Sequence, residues 1–200
     1  MSATHDATHD EAPIAARVRH VEALLEQRGW LAPGEVDERI DALAAGGSPA
    51  NGAAIVARAW VDPGFRARLL ADANTAIGEL GLSMAGGLQE QQLIVVANGP
   101  DEHHVVVCTL CSCYPIALLG PSPGWYKSEA YRSRVVREPR AVLREFGLEL
   151  PASTRITVWD ASAESRYMVL PRRPAGTDDL DEGRLAALVT RKGLIGTAAV

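Results

Sequence analysis

All three cysteines of this 200-residue chain fall within six positions, Cys108, Cys111 and Cys113, in the stretch VCTLCSCYP. As a thiolate, cysteine is a nucleophile, a redox group and a metal ligand, so this cluster is where chemistry is expected. Four readings are open. A disulfide is opposed by the odd count and by the poor bridging geometry of C-x-C. A structural zinc site draws four ligands from two separated knuckles, and only one knuckle is present. Cysteine also packs as a small, inert core residue. The fourth reading is a compact site in which three sulfurs meet one metal on a short loop at a strand end.

That fourth reading has a geometric consequence. If Cys111 and Cys113 bind the same ion, the backbone between them curls around it and turns the amide nitrogens of Ser112 and Cys113 toward the metal. Thiolates and deprotonated amides are strong donors that favour a small, highly charged, low-spin ion over zinc. Three sulfurs and two nitrogens fill five octahedral positions and leave one open, the mark of a catalytic metal. Sulfurs that stay accessible at such a site are candidates for oxidation to sulfenic or sulfinic acid.

The loop must be held by regular elements. LIVVAN (93–98) and HHVVVCTL (103–110) are β-branched runs of strand length separated by GPDE, and TRITVWDAS and SRYMVLPRRP supply two more. Helices are expected at about 128–137 and 138–146, the second opened by Pro139 and closed by Gly147, and one final helix over DEGRLAALVTRKG. Residues 12–82 read as helical. Ile14, Val18, Val21, Leu24 and Leu25 recur at helical spacing before Gly29, and Val36, Ile40 and Leu43 mark a second helix after Pro33. GGSPANG (46–52) reads as a loop or hinge. Asp62-Pro63 supplies an N-cap and a first-turn proline for one helix striped by Phe65, Leu69, Leu70, Ile77 and Leu80 and ended by Gly81. The expectation is an α+β chain with a flexible tail over 1–12, a helical arm over 13–82, and a layered α/β/β/α domain over 83–200 that carries the cysteine loop.

Composition narrows the function classes. With 47% hydrophobic and 22% charged residues the chain builds a core, and it is not disordered by composition. The formal charge of −5 and a sequence pI near 5.5 come without any basic stripe, which argues against nucleic acid as a partner. No apolar run approaches the ~18 residues of a membrane span, and MSATHDATHDEAP lacks the basic, then apolar, order of a secretory signal. The expected compartment is the cytoplasm, where disulfides are rare. The duplicated ATHD at 3–6 and 7–10 reads as tail, with metal binding by His5 and His9 a remote second. His103 and His104, just before the cysteines, read as supporting or turn residues rather than ligands, and His20 as partner-facing or solvated.

VVVCTLCSCYP resembles the metal-binding motif of the nitrile hydratase α subunit. IAARVRHVEALL and IVARAWVDPGFRARLLAD are similar to that family's helical N-terminal part. WYKSEAYRSRVVREPRAVLREFGLEL, VWDASAESRYMVLPRRPAGT and LVTRKGLIG resemble its C-terminal half in order and spacing. The resemblance implies a non-corrin Co(III) ion, with iron the second choice because Thr109 matches the cobalt branch. Its ligands would be Cys108, Cys111 and Cys113 with the Ser112 and Cys113 amides, Cys111 carried as sulfinic and Cys113 as sulfenic acid. Gln89, in GGLQE, falls where the family has a glutamine near the active site, although Glu90 replaces the usual glycine after it. Thr109 and Tyr114 flank the ligands, and Asp160, Glu164 and Arg166 match a D-x-x-x-E-x-R pattern that braces the metal loop. Their plainer reading is a strand-end ion pair.

The implied activity is hydration of a small-molecule nitrile to its amide by a cytoplasmic hetero-oligomer. The other subunit would be a β subunit, in one piece or split into two chains. The related alternative is the thiocyanate hydrolase γ subunit, and the alternative of another class is a cobalt carrier or interaction protein. Two stretches depart from the family pattern. Ile116 stands where a tryptophan is common, followed by an altered run to Pro123, and 44–52 lacks the usual acids. A smaller wall residue implies a wider pocket, suited to a bulky heteroaromatic nitrile.

Overall fold

The computed structural model describes residues 11–84, 91–110 and 113–200. Contacts divide the chain into Met1–Ala42 and a compact unit Leu43–Val200. The first contains α1 (Glu11–Gln27), and α2 (Glu35–Gly46) begins in it. α1 ends as its sequence suggests. Gly29 takes φ 71°, Gly29 N donates to Glu26 O and Trp30 N to Leu25 O, the Schellman pattern that satisfies the last carbonyls. Ile14, Val18 and Val21 line one face of α1 and are exposed.

Within the second unit α3 (Pro49–Val61) begins inside the stretch expected to be a loop. Ser48 accepts from Ala50 N and Pro49 occupies the first turn, so SPAN is a helix start rather than a hinge. The single helix expected after Asp62 is two, α4 (Pro63–Ala71) and α5 (Ala73–Gly78), because the Asp72 side chain caps Thr75 N and opens a new helix there. Asp62 does cap α4, accepting from Phe65 N at 2.9 Å. Phe65, Leu69 and Ile77 are buried as expected, while Leu70 is exposed.

Four strands follow: β1 (Gln92–Ala97), β2 (Glu102–Val107), β3 (Arg155–Asp160) and β4 (Ser165–Leu170). Between β2 and β3 lie α6 (Ile116–Leu119), α7 (Gly124–Lys127), α8 (Glu129–Val135) and α9 (Pro139–Glu145). The chain closes on α10 (Glu182–Leu188) and α11 (Arg191–Ile195). This end was expected as one helix, but Thr190 caps Gly193 N and starts a second. β1 pairs with β4 and β2 with β3, both parallel. α4 and α5 contact β1, α11 contacts β4 and β2, α9 contacts β3, and β2 lies against β4. The strand pairs thus sit between helices, and the expected mixture of helix and strand is borne out.

The boundary expected at 82/83 and the division of contacts at 42/43 differ for a physical reason. α3, α4 and α5 bury Ile55, Val56, Phe65, Leu69 and Ile77 in the same core as Val95, Val106 and Met168. Close approach at the far end is secured by Gly196 (φ 87°), where a Cβ would collide with the backbone of His104 and Val105 in β2.

Candidate metal centre

Parallel strands bring their C-terminal ends to one edge, the usual place for a site in open α/β sheets. The β2–β3 register sets Val107 opposite Asp160, and Ala161 N donates to Val107 O at 2.8 Å. Cys108, the next residue, is fully buried. Thr109 and Leu110 then turn out to solvent, Leu110 at 88% exposure. Cys111, Ser112 and Gln89 lie outside the described residues. Cys113 is half-buried and Tyr114 buried.

The loop is pinned at both flanks. On the first, Thr109 N donates to Asp160 Oδ1 at 2.9 Å and Thr109 Oγ1 to Asp160 Oδ2 at 2.5 Å, while Arg132 reaches Thr109 O at 3.4 Å. On the second, the Tyr126 hydroxyl donates to Cys113 O at 3.0 Å. Tyr131 donates to Val106 O, at the end of β2, at 2.7 Å. Beneath the loop is an aromatic cluster: Tyr114 and Trp125 each pack edge-on to Tyr126, and Trp125 packs edge-on to Tyr131 and Phe146. Burial, reinforced by the neighbouring Tyr131 and Cys108, pushes the Tyr126 phenol far above its ordinary value, so it remains a donor. Burial raises Tyr114 as well, against the pull of Arg191, and the Tyr114 hydroxyl has no hydrogen-bond partner among the described residues.

Other sequence-predicted residues sort clearly. Asp160 reaches the loop, whereas Arg166 and Glu164 hold the β3–β4 turn. Arg166 Nη1 donates to the carbonyls of Ser162, Ala163 and Ser165, and exposed Glu164 accepts from Ser162 Oγ at 3.2 Å. Arg166 therefore clamps backbone, and the ion pairs among the described residues include none of Asp160, Glu164 and Arg166. His103 and His104 are already engaged: His103 Nε2 meets Gly196 O at 2.7 Å and Trp159 Nε1 donates to His104 Nδ1 at 3.0 Å. Burial lowers both imidazoles below their ordinary value. Ile116 opens α6 and is partly exposed at 38%.

Tyr126 and Tyr131 are the site residues that reading for chemistry missed. The available signal was aromatic crowding, since three of the four tyrosines in the chain, Tyr114, Tyr126 and Tyr131, follow the cysteines closely. A recess of about 430 Å³ opens beside Thr109, between Glu129, Arg132, Ser133, Val136 and Arg137.

The donor set suits a thiophilic ion. Among the described residues no three His, Cys, Asp or Glu side chains form a metal cluster. Fold and loop define a class, a mixed helix-and-strand protein presenting a short cysteine loop at the C-terminal edge of a parallel strand pair. Residues 12–198 match the model of the nitrile hydratase alpha chain. The alpha subunit of the cobalt-containing nitrile hydratase of Pseudonocardia thermophila is 50% identical over 92% of this chain and 89% of its own length. The thiocyanate hydrolase gamma subunit of Thiobacillus thioparus is 46% identical over 75% of this chain and 65% of its own. Among solved structures, a histidine double mutant of the Fe-type nitrile hydratase from Comamonas testosteroni Ni1 superposes with a TM-score of 0.88 at 42% identity, covering 94% of this chain and 90% of that one. The chain belongs to the nitrile hydratase alpha-chain family.

Proposed function

We propose that the chain is the metal-binding catalytic subunit of a nitrile hydratase, with Cys108, Cys111 and Cys113 and the amides of Ser112 and Cys113 holding a Co(III) ion. The observation that carries this reading is the cysteine loop pinned by Asp160 on one flank and Tyr126 on the other, in a chain similar to cobalt-containing relatives along most of its length. Bound there, cobalt supplies a Lewis acid that polarises a nitrile and acidifies water. The chain's own residues keep that centre in shape. Asp160 and Tyr126 fix the loop ends and buried Cys108 anchors it to β2; Gln89 is kept as a catalytic candidate on the family resemblance.

Oxygenation of Cys111 to sulfinic and Cys113 to sulfenic acid adds acceptors and negative charge, which require donors. Those come from a β subunit, in one chain or two, and the exposed apolar face of α1 suits such a partner. Water adds across the C≡N bond to give the amide, and the protons of water pass to nitrogen. Either water attacks the nitrile carbon directly, or the Cys113 sulfenate oxygen attacks it and water then attacks sulfur, breaking the old S–O bond to release the product and forming the new one. Ile116 in place of a larger ring leaves room for a bulky heteroaromatic nitrile. No helix among the described residues is long and apolar enough to cross a membrane; the compartment proposed, on the cysteine usage, is the cytoplasm.

The test is the complex purified with its partner and assayed in parallel for amide release from nitriles and carbonyl sulfide release from thiocyanate. Amide, one cobalt per alpha chain, two added oxygens on Cys111 and one on Cys113 are expected. Cys111→Ala and Cys113→Ala should lose metal and turnover together. Carbonyl sulfide without amide would transfer the chain to the thiocyanate hydrolases. Exchangeable cobalt on unmodified thiols would make it a carrier.

A further inference from the structure

Resting on that reading, the wall beside the metal loop has a feature that the loop does not explain. α6 has four residues, too few to satisfy its last carbonyls internally, and side chains from distant segments take them. Asn51 Nδ2 donates to Ala117 O at 2.8 Å and Arg191 Nε to Leu119 O at 3.0 Å. The same Asn51 amide reaches Gly46 O, at the last residue of α2, at 3.3 Å, tying the start of α3 to the residues just before it and to α6 at once.

Contact is closest at Gly47. A Cβ there would collide with the Ile116 carbonyl oxygen and come within 3.3 Å of Ile116 Cγ2. Gly52 is similarly tight, since its Cβ would meet Leu118 O at 3.0 Å. The two stretches that depart from the family pattern, 44–52 and the run from Ile116, therefore touch each other. The clamps on the cysteine loop are separate ones: Thr109 is held by Asp160 and Cys113 O by Tyr126, and Asn51 bonds to neither.

We infer that Asn51, with Gly47 beside it, is a positioning residue for substrate size: through the Ala117 carbonyl it sets where the Ile116 wall stands relative to the metal loop. Asn51 touches no reacting atom. Its hydrogen bond acts one peptide away from Ile116, so losing it lets α6 shift and changes the depth of the wall, while the ligands stay clamped from the other side. The consequence is a change in discrimination between large and small nitriles without a change in metal content.

The experiment uses the complex with its partner and compares wild type, Asn51→Asp and Gly47→Ala, with benzonitrile-sized heteroaromatic nitriles against acetonitrile. Asn51→Asp keeps the shape and removes both donors; Gly47→Ala pushes on Ile116 without removing a hydrogen bond. The kcat/KM ratio of large to small nitrile is expected to move by about fivefold, the factor corresponding to the net worth of one hydrogen bond, with the change carried by KM and cobalt per chain unaltered. In an Ile116→Ala background Asn51→Asp should add no further shift, since the wall it positions is gone.

An unchanged ratio in either variant, an equal shift in the Ile116→Ala background, or a fall in kcat accompanied by cobalt loss overturns the inference. Wild type acts as the separate control on the parent reading. Wild type that hydrates no nitrile refutes that reading and this inference with it, whereas active wild type with indifferent variants refutes only this inference. If Asn51→Asp does not assemble, Gly47→Ala decides.

Discussion

Asp160→Ala should loosen the metal loop without unfolding the protein. In the structure Asp160 is bonded to Thr109 twice, through the backbone N–H at 2.9 Å and the hydroxyl at 2.5 Å. Hydrogen bonds to a charged acceptor are worth roughly 1.5–3 kcal/mol each when shielded, but Thr109 and Asp160 are both exposed and water competes for them. Taking about 1 kcal/mol for each gives roughly 2 kcal/mol for the pair, about a 30-fold change in the ratio of seated to released loop. If the ion leaves only from the released loop, cobalt transfer to a strong chelator should run about 30-fold faster in Asp160→Ala. Asp160→Asn keeps an acceptor for the N–H and a polar group facing the hydroxyl, so its effect should stay at about fivefold or less. Thr109→Val, which loses only the hydroxyl bond, should fall between wild type and Asp160→Ala, and Thr109→Ser should match wild type. The assay is cobalt release from the assembled enzyme, followed by absorbance, with thermal melting alongside. Wild-type release from Asp160→Ala, or equal release from the Ala and Asn variants, would refute the account of Asp160 as the clamp of the loop.

Tyr126→Phe removes the bond to Cys113 O while keeping the ring among Tyr114, Trp125 and Tyr131, so cobalt release should accelerate by about fivefold with little loss of melting temperature; an unchanged release rate contradicts the second clamp. His103 and His104 are held below the ordinary histidine value by burial, so as pH falls through about 6.5 the unfolded chain takes up protons first and the fold loses stability, while above that value these groups leave it unchanged. Chemical denaturation across this range, in wild type and His103→Asn, checks the sign, and a wild-type midpoint flat on the acid side would count against it. Ile116→Trp should shift preference toward small nitriles by about tenfold, as expected for a filled pocket contact; an unaltered ratio in kcat/KM removes Ile116 from the substrate wall.

Much of this protein was legible before any coordinates. Spacing alone singled out Cys108, Cys111 and Cys113, because three sulfurs so close together have few uses. The β-branched runs located β1 through β4 to within a few residues, because period and residue type act locally. Glycines ended helices where φ had to turn positive, at Gly29, Gly81 and Gly147. Local capping was harder to weigh, and Ser48, Asp72 and Thr190 each started a helix where a loop or a continuous helix was expected.

What only the tertiary structure decided are the long-range pairings. Nothing local says that Val107 stands opposite Asp160, that Tyr126 reaches Cys113, or that Asn51 holds Ala117 across 66 residues. Parallel pairing of β2 with β3 needs a crossover of four helices, and its register follows from how the whole core packs. The sequence determined which chemistry the loop contains, since that is a matter of residue type and spacing. Its clamps and the wall beside it were decided by burial, which brings distant backbone carbonyls within reach of side chains that no short-range pattern connects to them.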